Sequence, residues 1–287
     1  MELIDIGCNL THDSFERDRA EVIANAREAG VVQMVVTGAS EAGSVKALEL
    51  SKQWPGTLYA TAGCHPHLAS EFSTETESVL RDLLENPEVV AAGECGLDYF
   101  RDFSPRPDQR RAFERQLELA VGSGKPVFLH QRDAHADFMA ILTEFRPHLA
   151  RAVVHCFTDT REAMLDYLDL DCHIGITGWI CDERRGHHLK EFVGEIPVDR
   201  LMLETDSPYL KPRNLRPKAR THRNEPQWLP WIAGTVAACR NTTPEKLATQ
   251  TTACARAFFG LDGNGEISSS ATEGRPTPDR KIGQERR

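Results

Sequence analysis

The sequence has no C-x-x-C pair, although it carries 8 cysteines, at positions 8, 64, 95, 156, 172, 181, 239 and 254. That absence excludes a zinc ribbon and a thioredoxin-like redox motif. It leaves free thiols packed as small hydrophobes in a reducing compartment. No G-x-G-x-x-G and no P-loop follows any apolar run, which counts against a nucleotide cofactor. No apolar stretch approaches the roughly 20 residues needed to span a bilayer. Glu2 and Asp5 stand where a secretory leader would be basic and then apolar. A cytoplasmic protein without a membrane partner is expected. The net charge of -9 argues against binding nucleic acid with the whole surface, but not against a local basic patch.

What the chain does have is one repeated alternation: a short apolar or β-branched run, then a longer amphipathic segment. ELIDIG precedes FERDRAEVIANAREAG, VQMVVTG precedes EAGSVKALELSKQW, and LYATAG precedes STETESVLRDLLEN. VVAAGECG, PVFLH, AVVHC, CHIGITG and RLMLETD continue the series, each with its own following segment. Continuous apolar runs suit parallel strands covered on both faces. Phe113, Leu117 and Ala120 show the helical spacing of the segments between them. Gly30, Gly124 and Gly194 fall near helix ends, where a left-handed residue is expected. Eight such units predict a (β/α)8 TIM barrel as a single domain over residues 1–261. An open doubly wound sheet stays as the alternative, because strand order is not written in a sequence. The remaining residues, 262–287, are rich in Gly, Ser, Pro and charge and are expected to be disordered. Basic and acidic residues balance there, so a nucleic-acid-binding arm is not expected.

The strand ends carry the chemistry. In order they offer Asn9, His65, Glu94, His130, His155 and Asp206. Barrel enzymes build their sites at that face from several strands, and two carboxylates with several imidazoles make a plausible divalent-metal site. Cys95 and Cys156 each adjoin one of these residues. Because strand side chains alternate, they should face away from the mouth, toward the helices. The first strand is unusual for a metal hydrolase, with Gly7 and Asn9 where a His-x-His pair is common. A site with fewer nitrogen donors should bind its metal loosely and lean toward Mg²⁺, with Mn²⁺ or Zn²⁺ still possible.

GCHPH, GECGLDY, VFLHQRDAH, VVHCFTDT, GITGWICDERRG, ETDSPYL and RNEP together resemble the TatD family of metal-dependent deoxyribonucleases, which are amidohydrolase-like barrels. The Gly/Asn opening resembles one branch of that family. The resemblance implies metal ligation by Glu94, His130 and His155, with Asp206 as a further ligand or as the base acting on the attacking water. Asp206 and Glu94 are then the catalytic carboxylates. It also implies hydrolysis of phosphodiesters from the 3′ end of single-stranded DNA, with RNA as a second candidate substrate. A divalent ion suits that chemistry, because it acidifies a water and polarises a phosphoryl oxygen.

A nuclease must hold a polyanion. Lys211, Arg213, Arg216, Lys218, Arg220 and Arg223 lie in the loop after the eighth strand, in a stretch from Lys211 to Arg223 that has no acidic residue. With Arg132, Arg184 and Arg185 they are candidate phosphate contacts, and His65 and His67 are assigned to substrate rather than to metal. Tyr99, Phe100, Phe103, Phe157 and Trp179 are candidate stacking rings for unpaired bases. A monomer is expected. Two other readings remain open at this point: an amide or ester hydrolase, such as a deacylase of mischarged aminoacyl-tRNA, and a non-enzymatic nucleic-acid-binding barrel. Lys125 precedes the fifth strand and is poorly placed to serve as a bridging carbamate.

Overall fold

The computed structural model describes residues 1–217 and 222–261. Its strands are β1 (Leu3–Cys8), β2 (Val31–Val36), β3 (Leu58–Ala62), β4 (Val89–Asp98), β5 (Val127–Arg132), β6 (Ala152–Val154), β7 (His173–Ile176) and β8 (Leu201–Leu203). They lie in sequence order in one 8-stranded sheet, and every neighbouring pair is parallel. The ring closes just beyond β8. Asp206 N–H donates to Gly7 O at 2.8 Å and Asn9 N–H to Ser207 O at 2.7 Å. The open-sheet alternative is thereby removed, and the barrel reading holds.

Eight helices alternate with the strands: α1 (Arg19–Glu28), α2 (Glu41–Gln53), α3 (Thr74–Leu84), α4 (Arg106–Ser123), α5 (His135–Phe145), α6 (Arg161–Asp169), α7 (Leu189–Phe192) and α8 (Leu229–Cys239). Several begin as their sequences dictate. Ser40, Ser73 and Thr160 each accept a backbone N–H of the first turn through the side chain. Gly30 and Gly124 are left-handed as expected, at φ 93° and 67°. Gly194 is not. It belongs to the 3₁₀ turn Val193–Glu195 that follows the single turn of α7.

A ninth helix, α9 (Pro244–Phe259), lies outside the one-strand-one-helix count. It is the floor of the barrel. Thr252 Oγ1 donates to Glu2 O, Gln33 Nε2 to Leu261 O, and Arg151 Nη1 to Phe258 O, so the helix sits across the strand starts. Phe258, Phe259 and Leu261 pack against the inward row Ile4, Ile6, Val35, Val90, Phe128, Val153 and Met202. Their strand neighbours Met34, Val36, Val127, Leu129, Ala152, Val154, Leu201 and Leu203 belong to the second core, under the helices. The sheet therefore separates two cores with the two-residue period of a pleat. The expected tail, 262–287, and the candidate phosphate contacts Lys218 and Arg220 lie outside the described residues.

Phe258 is 1% exposed at the centre of that floor. Phe258→Ala should cost about 3–5 kcal/mol of stability, read as a lower urea midpoint at constant slope. A cost below about 1 kcal/mol would mean that α9 does not plug the barrel.

Candidate metal centre

The inward rows of the barrel lead directly to the site. Two residues beyond Phe128, Val153 and Met202, the same faces carry His130, His155 and Glu204. β4 reaches the site by another route. Gly96 has φ 145°, and a Cβ there would overlap the carbonyl of His130, so only glycine lets β4 and β5 approach this closely. That approach leaves Glu94 and Asp98 on the mouth side, while Cys95 is buried in the core under the helices, as the alternation requires. Cys156 departs from it. β6 ends at Val154, Cys156 adopts φ 47°, and its thiol lies 3.9 Å from Thr177 Oγ1. Cys156 is only half-buried and, unlike Cys95, does not belong to the core under the helices.

Glu94 is the hub. Its Oε1 lies 2.8 Å from His155 Nε2, 3.0 Å from His130 Nδ1 and 3.4 Å from His65 Nε2. Burial would push the Glu94 carboxyl up, but His65, His155 and His130 together hold it well below the usual range. Burial likewise opposes charge on His155, yet Glu94 and Glu204 hold its imidazole well above the ordinary value. His65 behaves oppositely: burial pushes it down to about 3. Beside this cluster, Asp98 Oδ2 lies 2.9 Å from His67 Nε2 and 3.2 Å from the other nitrogen of His130. Two sets of donor atoms among the described residues are close enough to hold an ion, His65–Glu94–His130 and His65–His67–Asp98.

Asp206 stands at the edge of this group. Its Oδ1 accepts from Asn9 Nδ2 at 3.0 Å. Burial pushes its carboxyl up to about 7, against the opposing charge of His155 and with Glu94 and Glu204 adding to the rise. Carboxylates crowded this way, with imidazoles among them, fit a divalent cation. Asp5 pins the loop from behind, accepting from Thr205 N–H at 2.9 Å and Thr205 Oγ1 at 2.5 Å. Asn224, from the RNEP motif, donates through Nδ2 to Thr205 O at 2.8 Å and so fixes the same loop.

Two acids at the site, Asp98 and Glu204, are absent from the strand-end reading. Asp98 lies four residues after Glu94 and Glu204 two before Asp206, so the alternation itself marks both. Glu204 is completely buried. It accepts from Cys156 N–H at 2.5 Å, and its other oxygen lies 3.3 Å from His155 Nδ1. A Cβ at Gly7 would overlap Glu204 Oε2, and one at Gly175 would stand 2.5 Å from Glu204 Oε1. The space beside the first strand is thus taken by a carboxylate from the eighth.

The expected substrate contacts divide. Arg213 pairs with Glu183 at 3.0 Å and Asp182 at 3.5 Å, acids from the loop after β7. Arg216 donates through Nη1 to the carbonyl of Leu215 at 2.9 Å. Arg132 packs on Phe100 and Trp179. Phe157 is buried among Tyr167 and Phe192 and offers no stacking face. Lys125 donates to the carbonyls of Asn86 and Val89, at the opposite end of the strands from the site.

The family model described as TatD related DNase matches residues 4–260. A relative from Pantoea vagans named 3′-5′ ssDNA/RNA exonuclease TatD is 51% identical over 259 residues, 90% of this chain and 100% of its own. One of the same name from Klebsiella pneumoniae is 47% identical over 263 residues, 92% of this chain and 100% of its own. Among solved structures, a TatD homologue from Escherichia coli, YjjV, superposes with a TM-score of 0.82 at 26% identity, over 90% of this chain and 98% of its own. A TatD family hydrolase from Entamoeba histolytica gives 0.79 at 25% identity, with the same coverage of 90% and 98%.

Gly7→Ala would force Glu204 off Cys156 N–H and His155. It should cost about 1–3 kcal/mol, measured by denaturant unfolding, and weaken Mn²⁺ binding in titration calorimetry. Wild-type values for both would show that Glu204 does not need the space beside Gly7.

Proposed function

Given that the chain belongs to the TatD related DNase family, we propose that it removes nucleotides from the 3′ ends of single-stranded DNA, and of RNA, using the Glu94-centred cluster. The protein is a metal-dependent nuclease that hydrolyses phosphodiester bonds. The observation that carries the finer reading is the convergence of three imidazole nitrogens on one carboxylate oxygen, Glu94 Oε1, at the barrel mouth. In this reading Glu94, His130 and His155 hold the ion, with Asp206 beside them; His65 shares a set of close donor atoms with Glu94 and His130.

Bound there, a divalent ion supplies a Lewis acid for the phosphoryl oxygen and a more acidic water. The chain's own groups do the rest. Asp206, oriented by Asn9 Nδ2, accepts the proton of the attacking water. Asp98 fixes the rings of His67 and His130. His67 and Arg132 meet the phosphates. Carboxylates from Glu94, Asp206 and Asp98 give Mg²⁺ the oxygen donors it needs, and the imidazoles admit Mn²⁺ and Zn²⁺. We place the protein in the cytoplasm as a monomer. Its eight free cysteines fit a reducing compartment, and no described helix is long and apolar enough to cross a membrane.

The test follows a 5′-labelled single-stranded oligonucleotide with Mg²⁺ or EDTA. A ladder shortening from the 3′ end is expected only with metal. Glu94→Gln and Asp206→Asn should each lower the rate by at least about 10²-fold while circular dichroism stays native. Either variant cutting at the wild-type rate would remove that residue from the site, and amino-acid release from aminoacyl-tRNA without nucleotide release would replace the nuclease reading.

A further inference from the structure

Five side chains at the barrel mouth, Arg132 among them, form a row of rings and guanidiniums. It starts two residues after Asp98. Phe100 N–H and Arg101 N–H both donate to Asp98 Oδ1, at 3.1 and 2.8 Å, so the start of the row is tied to a carboxylate of the site. The Arg132 guanidinium lies 4.2 Å from the centre of the Phe100 ring and 5.7 Å from that of Trp179. Arg185 covers Trp179 at 4.3 Å, and Arg101 lies 5.6 Å from the Phe100 ring. Rings and guanidiniums thus alternate from the end of β4, across the end of β5, to the loop after β7.

Two features separate this row from ordinary loop packing. Phe100 is 53% exposed, although a large apolar ring on a loop gains by burial. Arg132 has no carboxylate partner among the described residues, whereas Arg184, Arg185 and Arg213 all pair with Asp182. An exposed ring beside a guanidinium that nothing neutralises offers a base one surface and a phosphate the other.

We propose that this row is a track for the single strand, with Phe100 stacking a base and Arg132 and Arg101 holding the adjoining phosphates. The proposal rests on the 3′-exonuclease reading for its polarity. An enzyme that removes the 3′ nucleotide has all the rest of its substrate on the 5′ side of the scissile bond. A row leading away from the site therefore holds the nucleotides 5′ of the cut. The track selects for unpaired strands with bases, because both faces of a base inside a duplex are covered by its stacked neighbours.

The experiment compares two 5′-fluorescein octathymidylates, one intact and one with abasic spacers at the second and third positions from the 3′ end. Both are tested against full-length wild-type, Phe100→Ala and Phe100→Tyr proteins. Fluorescence anisotropy in EDTA reads affinity, and steady-state cleavage with Mg²⁺ reads KM and kcat. Removing the bases should weaken wild-type binding about tenfold. Phe100→Ala should bind the intact strand about tenfold more weakly and lose most of the distinction between the two strands. Its cleavage defect should appear in KM, and Phe100→Tyr, which keeps the ring, should restore both. An equal abasic penalty in wild-type and Phe100→Ala proteins would overturn the track. If the wild-type protein cut neither strand, the nuclease reading would fail, while the anisotropy comparison would still decide for or against the track.

Discussion

Three imidazoles share one buried carboxylate oxygen, and the architecture of the mouth follows from that contact. Glu94 Oε1 meets nitrogens of His65, His130 and His155 within 3.4 Å. A carboxylate removed from water carries a large desolvation cost, which is offset only if opposite charge or good donors surround it. Here those donors come from β5 and from the segments just beyond β3 and β6. Each strand has to arrive in a fixed register, because a slip of one residue would turn its imidazole toward the helices. The barrel supplies that register, with α9 sealing the floor and Asp5 and Asn224 holding the loop after β8.

Charge is balanced around this hub in two shells. Glu204 sits behind His155 and Asp98 beside His130, so two of the three imidazoles that meet Glu94 also meet a second carboxylate. Such partners fix ring orientation and raise the basicity of the nitrogens that meet a metal. The absence of first-strand histidines makes physical sense in this setting. Gly7 leaves room for Glu204, the residue just beyond the eighth strand, and Asn9 turns to Asp206 as an amide donor. The opening GCN is therefore a working part of a carboxylate-rich site.

Much of this was legible in the residues. Apolar runs of strand length, separated by capped amphipathic segments, gave the barrel, and strand-end polar residues gave Glu94, His130, His155 and Asp206 together. What was not legible depended on contacts distant in sequence. α9 was uncounted because it follows no strand. Arg213 reads as a free cation until the loop after β7 brings Asp182 and Glu183 beside it. Cys156 was placed by a strand alternation that stops one residue before His155. Asp98 and Glu204 needed that same alternation carried one step further along β4 and β8.

The most direct test is a crystal soaked in Mn²⁺ and measured at the manganese absorption edge. An anomalous peak is expected within about 2.0–2.3 Å of a Glu94 oxygen and of His130 or His155 nitrogens. A peak bound elsewhere, with Glu94 still surrounded only by its imidazoles, would contradict it.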